Sequence, residues 1–365
     1  MRQLSKKINC FLFKIKNEFI KPSKNYSYLI SLFFQLLRII IENIYKYKSK
    51  DQVLVWDIRN NSITFDFVWV IFYSFYKFKM PNNGFKLVIF IPRDYKYIVP
   101  KFNSYNKYLS SNDLKSRIED LILPLAKTFN CINRIEIFSD KHKLKRSIKN
   151  ASLMPRYYHP KYFYPEPLCY WRVHEILRRE NINSNNFMDI KKVPKKERLH
   201  NNFYLKEKYI TITLRDYGHS PGRNSSQTDI DIAYDFSREL NCKILLVPDD
   251  INKITSYNTH NIDICELARK NLYQRLLIYK NSLVNLIQPS GPSGASTLLN
   301  NSKTIITNYG KGSIDDNNQY FKKFYNLEIG DQPYLSLGTY LMWYENYQNY
   351  SVLDLKSILK ILHKN

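Results

Sequence analysis

Glycine is scarce in this chain, nine residues in 365, and cysteine is scarcer still. The five cysteines (Cys10, Cys131, Cys169, Cys242 and Cys265) form no Cys-x-x-Cys pair. An odd, scattered set excludes a disulfide framework and fits buried free thiols in a reducing compartment. Zinc-finger spacing, a helix-turn-helix with a glycine turn and an aromatic RNA-binding strand motif are all missing, which removes the common nucleic-acid modules. The histidines at 142, 159, 174, 200, 260 and 363 show no metal-ligand spacing, and no Ser/His/Asp or Cys/His signature speaks for a hydrolase. No small-residue cleavage site follows an apolar run behind Arg2, Lys6 and Lys7, so the expectation is a cytoplasmic protein, with or without attachment at the inner face of the plasma membrane.

Long apolar runs are also missing. The most hydrophobic segment, "YSYLISLFFQLLRIIIENIYKY" at residues 26–47, is interrupted by Arg38 and Glu42 and falls short of a membrane span. It reads as an amphipathic helix flanked by Lys14, Lys16, Lys21, Lys24, Lys46, Lys48 and Lys50. Such a helix either lies on an anionic membrane surface or packs on a domain core, and the hydrophobic pattern does not separate the two.

Acidic residues are few, 32 Asp and Glu against 56 Lys and Arg, giving a formal charge of +24. That excess suggests a polyanionic partner. The chain is equally loaded with Asn, Ile, Tyr and Phe, which like Lys have A/T-rich codons, so base composition accounts for much of it. Nucleic acid is therefore not the expected partner. With 44% hydrophobic residues the chain has enough apolar material for one large or two ordinary domains.

What is present is an alternation of strand and helix in two halves. Residues 53–56 and 86–91 read as continuously apolar strands around an aromatic helix from Thr64; a helix over 113–128 and a strand over 134–138 follow. Such strands belong in a parallel sheet covered on both faces. Prolines at 155, 160, 165, 167 and 194 break regular structure in the Tyr-rich middle, apart from one helical piece near residues 171–179. The alternation restarts with strands at 208–214, 243–248, 282–287 and 304–307 and helices at 229–240, 263–279 and after Gly294; Ser351 and Asp354 open a terminal helix at capping-box spacing. The expected organisation is an N-terminal basic helical segment (1–50), a Rossmann-like domain (51–150), an irregular connection (151–205), a second Rossmann-like domain (206–350) and a terminal helix (351–365). The fold class is α/β, two Rossmann-like domains with a cleft between them facing the carboxyl ends of the strands.

In open parallel sheets ligands sit beyond those carboxyl ends, so the polar loops after the strands of the second half are the candidates. The first is "RDYGHSPGRNSSQTD" at 215–229, with Arg215, Asp216, His219, Arg223 and Asn224; the second holds Asp249 and Asp250; the third is "PSGPSGAST" at 289–297. Gly291 and Gly294 allow close backbone approach, Ser290, Ser293, Ser296 and Thr297 bring hydroxyls, and the helix that starts there offers free N–H groups to an anion. A phosphate or diphosphate is the natural guest, and Arg215 and Arg223 match it by bidentate hydrogen bonds. The stretch is neither a Gly-Lys-Ser/Thr phosphate loop nor a Gly-x-Gly-x-x-Gly fingerprint. The "DID" of 229–231 has the look of a metal motif, but at a helix start it is better read as a cap. Asp315 and Asp316 read as part of a solvated loop.

At these loops the chain resembles bacterial glycosyltransferases of the GT-B architecture found among surface-polysaccharide genes. "ITITLRDYGHSPGRNSSQTDIDIAYDFSRELNCKILLVPDD" and "LVNLIQPSGPSGASTLLNNSKTIITN" resemble their donor-binding stretches, and "VLVWDIRNNSITFDF" is similar to their first acceptor-domain strand and loop. The resemblance implies sugar transfer from a nucleotide-sugar to a glycan or lipid-linked acceptor, with no obligatory metal and no cofactor beyond the donor. It places Arg215, Asp249 and the 290–297 loop (Ser290, Gly291, Ser293, Gly294, Ala295, Ser296, Thr297) on the donor, with Arg223 and Asn224 shaping its site and Arg59 and Asn61 on the acceptor side. The strand ending at Arg215 is also similar to the fucosyltransferase pattern His-x-Arg-x-x-Asp, with Thr213 in place of the histidine.

An inverting transfer needs a base for the acceptor hydroxyl. Asp57, at the end of the first strand, is the candidate, with Asp216 and His219 behind it; the alternative for Asp57 is a turn residue bonding its own backbone. A nucleotide-sugar or glycan-binding protein on the same frame, a nucleotide-sugar epimerase, and a basic membrane-surface or nucleic-acid-binding protein are the competing readings.

Overall fold

The computed structural model describes residues 51–59, 61, 63–78, 84–93, 111–155, 158, 173, 176, 187–193, 207–216, 221–248, 259, 262–311, 319 and 321–364. The expected helices at 26–47 and 171–179, except for 173 and 176, lie outside them, as do His219, Asp249, Asp250, Asp315 and Asp316. In chain order the principal elements are β1 (Gln52–Asp57), α1 (Asp66–Lys77), β2 (Phe85–Phe90), α2 (Ser111–Arg117), α3 (Leu123–Thr128), β3 (Ile132–Phe138), α4 (Lys141–Ser147) and β4 (Ser152–Met154). They continue with β5 (Tyr209–Thr213), α5 (Gln227–Leu240), β6 (Lys243–Val247), β7 (Asp263–Ile264), α6 (Glu266–Lys270), α7 (Leu272–Asn281) and β8 (Asn285–Ile287). The remainder is α8 (Gly291–Leu298), β9 (Thr304–Tyr309), β10 (Thr339–Trp343), α9 (Tyr344–Gln348) and α10 (Val352–Lys364).

The chain divides into two compact units. One takes residues up to Asn61 with Phe85–Phe102 and Asn133–Leu168; the other takes Ser62–Gly84, Asn103–Ile132 and Cys169–Asn365. The helix α1 and the α2–α3 region, which the order of elements placed with the first strands, therefore group with the second unit.

The first unit is a four-stranded sheet of order β3-β2-β1-β4, in which β1 runs parallel to both β2 and β4. Its apolar strands exist to be buried: Val53, Val55, Val88, Phe90 and Leu153 pack with Leu144, Ile148 and Tyr158. The edge strand β3 is largely exposed and carries charge, as sheet edges do. Lys86 Nζ and the Ser147 hydroxyl both donate to its Glu136, at 3.3 and 2.6 Å. The strand β4, unmarked in the sequence because only three residues pair, completes the sheet beside β1.

The second unit holds a six-stranded sheet of order β7-β6-β5-β8-β9-β10, every neighbouring pair parallel. Counted from β5 this is 3-2-1-4-5-6, the order of doubly wound dinucleotide-binding sheets. The strand "YITIT" shows how the sheet is covered on both faces. Ile210 and Ile212 join Ile230, Ala233 and Phe236 of α5 and Leu355, Ile358 and Leu359 of α10 in one core. On the other face the polar residues find buried partners: Thr211 Oγ1 donates to Asn285 Oδ1 at 2.6 Å, and the Thr213 and Tyr279 hydroxyls lie 2.8 Å apart. The expected helix over 263–279 is instead β7, α6 and α7, because Asn271 takes an extended conformation and its side chain accepts from Gln274 N–H at 3.1 Å to cap a new helix. The terminal helix begins as expected, with Asp354 accepting from the Ser351 N–H at 3.0 Å.

Among the described residues, Cys131 and Cys265 are buried free thiols and Cys242 is half-buried. Burial pushes the Cys131 thiol up to about 12, so it stays protonated and unreactive. No described helix is long and apolar enough to cross a membrane.

Candidate functional site

In a 3-2-1-4-5-6 sheet the order reverses between the first and fourth strands, here β5 and β8, and a crevice opens beyond their carboxyl ends. Thr213 of β5 is paired with Ile287 of β8. Two residues beyond them come Arg215 on one strand and Pro289 on the other. The two loops picked out by their polarity thus flank the one place in this sheet where topology makes an opening.

The first loop is folded back on itself. Arg215 donates its N–H to the Ser225 hydroxyl at 2.8 Å and accepts from Ser225 N–H at 2.9 Å. Its guanidinium, on a residue only 6% exposed, is bound to Asn224 Oδ1. Arg223 closes a single 3-10 turn (Pro221–Arg223), and its Nε is buried without a hydrogen-bond partner. The loop holds a guanidinium in a fixed orientation, which reduces the entropy lost on meeting an anion. Asp216 is half-buried beside it.

The second loop corrects part of the sequence reading. A Cβ on Gly291 would sit 2.5 Å from Phe65 Cβ, and one on Gly294 would sit 2.6 Å from Trp69 Nε1. The two glycines, three apart on one face of α8, are there to let α1 pack against it, so their spacing answers to a helix contact. Ser296 is spent on the interior: its hydroxyl lies 2.6 Å from Thr304 Oγ1 and 3.0 Å from Ser302 Oγ. Ala295 and Thr297 are fully buried, the Thr297 hydroxyl without a partner. Only the entry to the helix is half-buried, at Ser290 and Gly291; Pro292, Ser293 and Gly294 of the first turn are buried. Ser290 is the extended N-cap residue, Pro292 follows in the first turn, and the Ser293 hydroxyl donates to Ser290 C=O at 2.6 Å. Pro292 has no N–H and the Ser293 N–H donates to Ser290 C=O at 3.1 Å, so the donors nearest the surface at this helix start are the backbone N–H groups of Ser290 and Gly291.

The structure adds two residues to this neighbourhood. Arg275 on α7 is 6% exposed, its Nε donates to Ala268 C=O at 2.9 Å, and its guanidinium lies 6.0 Å from the centre of the Phe65 ring that covers Gly291. Asp66, the first residue of α1, exchanges hydrogen bonds with Thr64, whose hydroxyl donates to Oδ2 at 3.0 Å. Burial raises its carboxyl above the usual range, opposed by the Thr64 bond and by the charge of Arg223. Asp66 is half-buried at the start of α1 and feels the charge of Arg223 in the first loop.

In the first unit, Asp57 ends β1, between the neighbours β2 and β4. It is fully buried and both its oxygens are occupied. Arg59 donates to Oδ1 from its backbone at 3.1 Å and from Nε at 2.9 Å, its terminal nitrogen reaches Oδ2, and the Tyr158 hydroxyl donates to Oδ2 at 2.8 Å. Asn61 donates to Asp57 C=O from its backbone and side chain at 3.0 and 2.9 Å. The Arg59 guanidinium stacks 4.6 Å over Phe90. A carboxylate held this way orders the loop; with no exposed oxygen it is poorly placed to meet an acceptor hydroxyl, and the reading of Asp57 as base gives way to the turn reading. Asp229 caps α5, accepting from Ser226 N–H at 2.8 Å, while Asp231 is exposed and accepts from Gln227 at 3.1 Å, so the "DID" stretch is a helix start. Among the described residues no three His, Cys, Asp or Glu side chains are gathered closely enough to hold a metal.

No protein-family model matches the chain. No curated protein matches it either. Among solved structures it is similar to the ADP-heptose lipopolysaccharide heptosyltransferase II of E. coli, at 9% identity and TM-score 0.42, over 86% of this chain and 99% of that one. It is also similar to a glycosyl transferase family 9 protein of Veillonella parvula, at 11% identity and TM-score 0.45, over 88% and 100%. A third is the E. coli heptosyltransferase WaaC with ADP, at 8% identity and TM-score 0.36, over 85% and 97%. Superposition at these scores is loose, and the site of this chain stands on its own residues.

Proposed function

We propose that the protein is a glycosyltransferase that uses a nucleotide-sugar, with the donor diphosphate held at the carboxyl ends of β5 and β8. The observation that carries this is the pair of polar loops flanking the switch point of the second sheet, one presenting a nearly buried, oriented Arg215 and the other a helix N-terminus. In this reading Arg215 and Arg223 and the N–H groups of Ser290 and Gly291 take the negative charge that builds on the departing nucleoside diphosphate. Asn224 orients Arg215, and Arg275 adds positive charge. Asp66 replaces Asp57 as the base: its carboxylate takes the proton of an acceptor hydroxyl, the hydroxyl oxygen bonds to the anomeric carbon, and the bond from that carbon to the diphosphate breaks. The acceptor is a glycan or lipid-linked sugar of the cell surface. The basic segment 1–50 is the part that would meet an anionic membrane.

The test is thermal stabilisation by UDP, GDP, ADP, CMP and their sugars, with Arg215→Ala and Arg215→Lys alongside. A selective rise in the wild type, lost in Arg215→Ala and weakened in Arg215→Lys, is the expected result; saturation at 100 times Kd is worth about 2.7 kcal/mol. No rise with any nucleotide would end the reading. The competing reading, a nucleotide-sugar-binding protein without transfer, is favoured by the occupied state of Asp57. Release of nucleoside diphosphate from the donor that binds, dependent on a membrane glycolipid extract, separates the two.

A further inference from the structure

The two loops at the switch point share one buried carboxylate. Asp229, 3% exposed, lies in the first turn of α5. Its Oδ2 accepts from the Ser226 N–H at 2.8 Å and from the Ser226 hydroxyl at 3.1 Å. Its Oδ1 accepts from Gln288 Nε2 and, at 3.4 Å, from the Thr307 hydroxyl of β9. Ser226 directly follows Ser225, the residue that closes the loop on Arg215. Gln288 directly follows β8 and leads into Pro289 and Ser290.

Helix capping does not require this arrangement. The start of α10 shows the minimum: Ser351 donates its N–H and its hydroxyl to Asp354 Oδ2, both at 3.0 Å, on an exposed surface. Asp229 makes the same two bonds, but it is buried and its other oxygen reaches across the sheet. Burying a carboxylate is costly unless its hydrogen bonds compensate, so a cap alone would sit more cheaply at the surface. The extra bonds to Gln288 and Thr307 are what the burial secures.

We infer that Asp229 is a positioning residue, coupling the Arg215 loop to the start of α8 by holding Ser226 with one oxygen and Gln288 with the other. Through it, the distance between the oriented guanidinium and the N–H groups of the helix start is fixed before any ligand arrives. The coupling is a property of the fold; only what the two loops bind rests on the donor-site reading.

The test uses Gln288→Ala, which cuts the tie and leaves the cap of α5 intact, with Asp229→Ala, the double variant, and Asp354→Ala as a capping control. Hydrogen exchange at the amides of Arg215, Ser225 and Ser226 is read without ligand, and affinity is read with UDP, GDP, ADP and CDP. Gln288→Ala is expected to speed exchange at these amides and to weaken nucleoside diphosphate binding, each by about tenfold, with Asp354→Ala changing neither. The double variant should be no weaker in binding than Asp229→Ala alone, because both remove one coupling. Unchanged exchange in Gln288→Ala overturns the inference, and because that variant leaves the cap intact the result stands even if Asp229→Ala fails to fold. Faster exchange in a protein that binds no nucleoside diphosphate supports the coupling and overturns the donor-site reading instead.

Discussion

Asp66 shows how one residue is pulled in two directions. Its position at the start of α1 suits a negative charge, while its burial makes that charge expensive. The folded state therefore binds its proton more tightly than the unfolded chain, whose carboxyl has the ordinary value near 3.8. The sign follows: stability falls as pH rises from 3.8 through the raised folded value, and above it the full cost of the buried charge is present. Asp66→Asn should flatten that slope and make the protein more stable at neutral pH, as measured by urea unfolding at several pH values. If Asp66 is also the base, the same variant loses turnover by about 10²- to 10⁴-fold while gaining stability. Retained turnover would remove it from the mechanism. Nothing in the sequence marks this residue, because an acid at a helix start reads as a partner of the helix dipole; only its neighbours Thr64 and Arg223 set it apart. Arg215 stands out in the sequence for the opposite reason, since a cation directly after an apolar strand has few structural uses, and the structure shows it nearly buried and bound to Asn224. Asp57 was legible in place but not in role: Tyr158, which fills one of its oxygens, lies 101 positions along the chain.

At the scale of elements, the alternation of strand and helix was readable because continuous apolar strands and amphipathic helices leave different periods. The sheet order was not, because pairing depends on side chains that meet only in the fold. Asn285 is the clearest case. In sequence it is a polar interruption in "SLVNLI"; in the structure it is fully buried at the first position of β8. Its Nδ2 donates to Tyr279 C=O at 2.9 Å, Ser302 Oγ at 3.0 Å and Lys303 C=O at 2.9 Å, and its Oδ1 accepts from Thr211. One side chain thus fixes β8 against β5, the end of α7 and the turn before β9. Asn285→Leu keeps the branched shape but strands the buried Thr211 hydroxyl and the Tyr279 carbonyl, each worth about 1–3 kcal/mol, so a loss of about 2–6 kcal/mol is expected in urea unfolding. Since β8 carries the second loop on its end, nucleotide binding should weaken in step. A variant of wild-type stability would mean that the register of β8 is set by its apolar neighbours alone. The glycine pair of α8 teaches the same lesson, because Gly291 and Gly294 read as ligand contacts until Phe65 and Trp69 were placed against them.

For the whole molecule the dominant quantity is the charge of +24. Such an excess repels itself and draws anions, and both effects are screened by salt, whose Debye length is about 10 Å at 0.1 M. A protein built to grip a polyanion and a protein that carries excess lysine around a diphosphate pocket then respond differently. Binding that neutralises about 6–10 phosphates loses about 10³- to 10⁵-fold in affinity between 50 and 200 mM salt. A nucleoside diphosphate at the switch point meets Arg215, which is 6% exposed and so less open to screening, and a helix N-terminus, which bears only about half a charge. Its affinity should therefore fall by no more than about tenfold over the same range, corresponding to one or two phosphate contacts. The folded state should meanwhile gain from salt, because self-repulsion is relieved: a rise in Tm from 20 to 200 mM salt is the expected result. Titration of nucleoside diphosphate and of a single-stranded oligonucleotide across that range decides between the two. Shallow salt dependence with tight nucleotide binding assigns the lysines to the background of the sequence, whereas tight oligonucleotide binding with a steep slope makes them the site.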